Sequence, residues 1–110
     1  TLNLIVMKIN ITARHFKAKE STQTLIKERI NALEKYNENI IHANVVLSYD
    51  KPPSDTKYCE VIITLKEKVL TAKESAGDFE KAIDFALAKI ETRLYKVKDK
   101  QKSKIHSKTK

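Results

Sequence analysis

The sequence predicts an α+β domain in the order β-α-β-β-β-α: a four-stranded, mainly antiparallel sheet with two helices packed on one face. Three observations predict it. Four short stretches read as strands, the first alternating apolar and polar residues with the period of two that a half-buried strand requires. Two longer stretches carry apolar residues three and four apart, the spacing of a one-sided helix. Neither kind of segment can bury its apolar side alone, and two helices laid on one sheet face bury both stripes at once.

Met7, Ile9 and Ile11 alternate with Lys8, Asn10 and Thr12 and predict the first strand. Over residues 19–36 the spacing turns helical, with Leu25, Ile26, Ile30, Leu33 and Tyr36 on one stripe. Asn37 and Asn39 are its expected stops, because Asn tolerates the left-handed cap conformation. A second strand is expected at about 42–49, where Ala43, Val45, Leu47 and Tyr49 share a face. Asp50-Lys51-Pro52-Pro53-Ser54-Asp55 must be a loop, since two prolines remove ladder donors.

Residues 57–65 form the strongest strand pattern, with Cys59, Val61, Ile63 and Leu65 on one face. Lys66-Glu67-Lys68 makes a tight connection to a shorter strand, Val69 to Lys73. Asp78 follows the single glycine, Gly77, and is a good N-cap for the last helix. That helix is expected from about 79 to the high 90s. Phe79, Ile83, Ala86, Leu87, Ile90, Leu94 and Val97 form its apolar stripe.

A chain of 110 residues and 12.6 kDa fits one domain. We divide it into an N-terminal extension over 1–6, of the kind gene prediction or cloning leaves, one domain over 7–102, and an unstructured basic tail over 103–110. The hydrophobic share of 41% against 33% charged is that of a folding chain. No apolar run approaches the roughly 20 residues that span a bilayer, and the short apolar opening lacks a basic flank and a cleavage site. The lone Cys59 cannot form an internal disulfide, which suits a reducing compartment and argues against secretion. A cytoplasmic protein without a membrane partner is expected.

Charge is unevenly placed. Nine of the 22 Lys and Arg but only two of the 14 Asp and Glu lie from Lys89 to Lys110, so that segment carries +7 and the other 88 residues +1. Projected at about 100° per residue, Lys89, Arg93, Lys96 and Lys100 fall within a sector about 60° wide beside the core stripe. Glu80, Asp84 and Glu91 fall on the opposite flank. A helix that merely needed solubility would mix the signs as i, i+4 pairs. A one-sided basic ridge instead suits a phosphate backbone, where cations displace counterions.

Arg29 lies on the rim of the first helix's stripe, with Lys35 further round the same flank. Arg29 serves a polyanion or snorkels over the core with equal weight. Phe85 projects beside the basic sector; stacking on a base is one reading, and contact with a neighbouring loop or molecule is the plainer one.

Catalytic patterns are missing. His15, His42 and His106 lie on three different elements, without the spacing of metal ligands. Cys59 sits on an apolar strand face and reads as core. One glycine cannot build a phosphate loop. We expect no enzyme, no cofactor, no metal and no small-molecule substrate.

Met7-Lys8-Ile9-Asn10-Ile11-Thr12, Leu33-Glu34-Lys35-Tyr36, Ala72-Lys73-Glu74 ahead of Asp78-Phe79, and Ala82-Ile83-Asp84 before Lys96-Val97-Lys98-Asp99-Lys100 occur in an order and spacing that resemble the ribosome hibernation promoting factor family. The resemblance spans about residues 7–104 and looks like the family's short form. It implies a stress factor, a monomer when free, that binds the small ribosomal subunit and its ribosomal RNA where messenger and transfer RNA sit, and so silences translation. It also implies RNA contacts by basic side chains of both helices, here Arg29, Lys89, Lys96 and Lys100.

The chain departs from the family pattern at Ala32, where many members carry lysine, and at Glu80, where tyrosine is common. Thr92 stands at a usual basic position, with Arg93 one step later and thus about 100° further round the helix. The usual turn glycine is missing at Lys66-Glu67-Lys68. From the residues alone, a general double-stranded or structured RNA-binding module is the main alternative. An adaptor for an acidic protein is a third reading.

Overall fold

The computed structural model describes residues 8–35 and 40–109, with side chains described as far as Val97. Strand β1 (Lys8–Ala13) leads into helix α1 (Glu20–Asn31), followed by strands β2 (Ile40–Tyr49), β3 (Lys57–Leu65) and β4 (Val69–Ala76) and helix α2 (Phe79–Thr109). The sheet order is β1-β2-β3-β4. β1 runs parallel to β2, with Ile9 opposite Ala43 and Ile11 opposite Val45, and α1 supplies the crossover that a parallel pair needs. β2 with β3 and β3 with β4 are antiparallel. The α+β class and its mainly antiparallel sheet are therefore as expected.

Alternation sets the layers. Ala43, Val45 and Leu47 of β2, Cys59, Val61, Ile63 and Leu65 of β3, and Leu70 and Ala72 of β4 point to the helix side and are buried. Ile26, Ile30 and Leu33 meet them from the first helical segment, and Ala82, Ile83, Ala86, Leu87, Ile90 and Leu94 meet them from α2. Each large aliphatic side chain so buried contributes roughly 1.5–3 kcal/mol. Among the described residues no polar side chain is buried, so the core imposes no unpaired hydrogen-bonding group.

Boundaries differ from expectation in four places. Ala32 N–H still bonds the Glu28 carbonyl, and the chain then tightens into a 3-10 turn over Ala32–Lys35 that carries Leu33 into the core. The expected stops Asn37 and Asn39, like Tyr36, lie outside the described residues. β2 starts at Ile40, with a register shift between Ile40 and His42 that leaves Ile41 exposed. β4 continues past Lys73 to Ala76, pairing Glu74 with Cys59 and Ala76 with Lys57.

Helix α2 runs to Thr109 rather than stopping in the high 90s. The proposed extension over 1–6 lies outside the described residues, as do the side chains of the tail over 103–110. The Lys66-Glu67-Lys68 turn closes without its glycine, because Leu65 N–H donates to the Lys68 carbonyl at 2.8 Å and no residue there takes a positive φ.

Candidate nucleic-acid interface

The basic flank is built on a helix that the core fixes. Asp78 Oδ1 accepts the Lys81 backbone N–H at 2.8 Å, satisfying a donor of the first turn of α2 as the sequence predicts. Ile83, Leu87, Ile90 and Leu94 then anchor successive turns. Their burial sets which way the other side chains of α2 face as far as Val97.

Lys89, Arg93 and Lys96 come together around one depression of about 290 Å³, completed by Ala88 and Thr92. No carboxylate lines it. Thr92 turns its hydroxyl back onto the Ala88 carbonyl at 3.1 Å, so it adds surface without adding charge. Three cations on one small concavity generate the local positive potential that attracts a polyanion.

Two of the three also hold α2 to β4, the edge strand. Lys89 Nζ pairs with Glu74 Oε2 at 2.5 Å, and Arg93 Nη1 donates to the Thr71 carbonyl. Arg93 thereby occupies an acceptor on an otherwise open sheet edge, which blunts the edge against pairing with another chain. The Lys89 side chain remains 56% exposed, so water screens its pair to roughly 0–1 kcal/mol. A phosphate can displace that carboxylate at small cost.

Arg29 stands apart from this group. It pairs with Asp84 at 2.5 Å on the other flank of α2, both side chains being nearly half exposed. It is neither free nor snorkelled into the core, and it neutralises part of the acidic flank. Lys35 is exposed on the 3-10 turn. Lys100 lies on α2, and its side chain is outside the described residues.

A cavity of about 760 Å³ was not anticipated. It opens between the N-terminal ends of α1 and α2 above Phe16, Leu25, Leu47 and Phe79. Phe16 stacks on Phe79, centroids 5.1 Å apart, and meets Tyr49 edge-on at 5.4 Å. His15, at φ 63°, makes the left-handed step that delivers Phe16 there. The cavity rim carries Lys17, Lys19 and Lys57 together with Glu28, Asp78 and Glu80, and such mixed charge does not single out a polyanion. An aromatic residue isolated in the polar stretch after the first strand was the available signal.

Cys59 is buried, and desolvation, aided by the Glu60 carboxylate, pushes its thiol from the ordinary 9.0 up to about 12. The hydrogen bond Tyr58 Oη donates to Asp50 at 2.9 Å raises the Tyr58 phenol in turn. Among the described residues no cluster of His, Cys, Asp and Glu could hold a metal ion, and no helix is long and apolar enough to cross a membrane.

Fold and surface together define a two-layer α+β module whose outer helix carries a cationic depression. The chain matches the family described as Sigma 54 modulation protein / S30EA ribosomal protein over residues 9–102, and it belongs to that family. Two solved structures share the fold. A ribosomal subunit interface protein from Coxiella burnetii superposes with a TM-score of 0.77 at 18% identity, covering 84% of this chain and 99% of that one. The N-terminal domain of Thermus thermophilus Protein Y gives 0.74 at 22% identity, covering 83% and 99%.

Proposed function

We propose that this protein is a ribosome hibernation factor: a non-catalytic, cytoplasmic protein, monomeric when free, that binds the small ribosomal subunit through its ribosomal RNA. By occupying the messenger and transfer RNA sites it silences translation. The carrying observation is the depression on α2, where Lys89, Arg93 and Lys96 converge and no carboxylate is among the lining residues, the carboxylate near them being Glu74 in its exchangeable surface pair with Lys89. Phosphate recognition needs this arrangement of charge, and membership of the family supports a ribosomal target for it. The names of the two structural relatives, a ribosomal subunit interface protein and Protein Y, point the same way. Lys100 and, from the first helical segment, Arg29 and Lys35 extend the contact in this reading. Arg29 then exchanges Asp84 for phosphate.

Cosedimentation with purified small subunits tests the reading. The protein should pellet with the subunits and stay bound against excess random-sequence duplex RNA. If the duplex strips it off, the protein is a general binder of structured RNA. If pelleting survives complete nuclease digestion, the basic face binds protein instead.

A further inference from the structure

We propose that Phe85 is a stacking platform for one unpaired base of the bound RNA, an inference that rests on the RNA-binding reading above. Exposure alone says little, since single apolar residues are common on surfaces. The position of this ring says more. Phe85 is 50% exposed and makes no ring contact with any described aromatic, whereas Phe16 and Phe79 shield each other. No other described aromatic stacks on it.

Lys81 and Lys89 stand four residues before and after Phe85, on the same face of α2. Ala88, three residues on, lines the cationic depression. Its small side chain leaves the approach from that depression to the ring open. A nucleotide resting there places its phosphate among Lys89, Arg93 and Lys96 while its base lies against the phenyl face. Every base offers a π-face, so this contact needs no particular sequence.

Charge decides between RNA and an apolar protein partner. The other exposed large apolar residues, Ile41, Tyr49, Val69 and Tyr95, lie elsewhere, on strands or further along α2. Phe85 therefore does not belong to a multi-residue apolar patch of the kind protein partners use. Tyr95 is an internal control: it is more exposed, at 61%, but Glu91, not a lysine, stands four residues before it. A carboxylate at that position repels the phosphate that must accompany a base.

The test measures small-subunit affinity at one fixed salt concentration for the wild type and for Phe85→Tyr, Phe85→Leu, Phe85→Ala and Tyr95→Ala. All should remain folded, because neither ring is part of the core. Phe85→Tyr should bind like the wild type, and Phe85→Ala should bind about 5- to 150-fold more weakly, the span of one base–aromatic stack. Phe85→Leu should fall close to Phe85→Ala, with Tyr95→Ala unchanged. The chain contains no tryptophan, so Phe85→Trp provides a single reporter whose emission should be quenched when small subunits are added.

Full affinity in Phe85→Leu would overturn stacking in favour of plain apolar contact. Full affinity in Phe85→Ala, or unquenched emission from bound Phe85→Trp, would overturn the platform while leaving the RNA-binding reading intact. A wild-type protein that does not bind small subunits would remove both.

Discussion

Lys89 has a partner in the free protein and is assigned a different one in the complex. Its pair with Glu74 is a half-exposed surface contact, worth roughly 0–1 kcal/mol, so exchanging it for a phosphate is a small step. The pairing was not legible in the sequence. A helical projection orders residues around α2 but cannot see that β4 runs alongside with Glu74 facing the same flank. Cys59 was legible, because strict alternation with Val61, Ile63 and Leu65 put it on the buried face.

The burial of Cys59 yields a prediction. With its thiol held up to about 12, Cys59 should be inert to Ellman's reagent at pH 8 in the folded protein and react at once in denaturing urea. Rapid labelling of the native state would contradict the core placement. The sign of the pH effect follows. The unfolded thiol ionises near 9.0 and the folded one near 12, so its stabilising share is full below pH 9 and is lost as pH rises towards 12. The stability advantage of the wild type over Cys59→Ala, from urea melts, should shrink across that window.

Helix α2 begins where the sequence placed it and ends later. Its start has a mechanism in Asp78, whose carboxylate takes the Lys81 N–H. Asp78→Ala should therefore lower unfolding free energy by about 0.5–2 kcal/mol, with Asp78→Asn nearly neutral. Urea denaturation of the three proteins checks this, and an Ala variant as stable as the wild type would contradict the cap.

The helix outlasts its apolar stripe, which stops at Val97, so the periodicity marks the packed part of α2 and not its end. Nothing after Gly77 breaks a helix, since the chain's prolines are Pro52 and Pro53. Lysine and glutamine also have good helix propensity. The tail's composition thus carried a signal that periodicity did not. β4 also runs past its expected end: Glu74 and Ser75 are polar, yet both are paired across to β3. For the 3-10 turn at Ala32–Lys35 the stripe was right about Leu33 and silent about the tightening that buries it.

Across the molecule, a nearly neutral sheet layer carries a helix on which cations gather to one side. The segregation of charge was readable from the sequence, and the three central cations meet where it said they should. Arg29 was grouped with them on sequence grounds, but it faces Asp84 on the opposite flank. Contacts between α1 and α2 depend on how the two helices sit on the sheet, which no single-helix projection contains. The aromatic cluster of Phe16, Tyr49 and Phe79 escaped for the same reason, as its members come from three separate parts of the chain.

The claim that phosphate neutralisation by the α2 face drives binding is tested most directly by small-subunit affinity across a salt series, for the wild type and for Lys89→Ala with Lys96→Ala. If about five cations neutralise phosphates, the wild type should show a slope of log affinity against log salt of roughly −3.5 to −4.5. The double variant should remain folded, bind more weakly at every salt concentration, and show a slope shallower by roughly 1.4 to 1.8, the share of two lost phosphate contacts. A near-flat wild-type slope, or a double variant that matches the wild type in both affinity and slope, would contradict it.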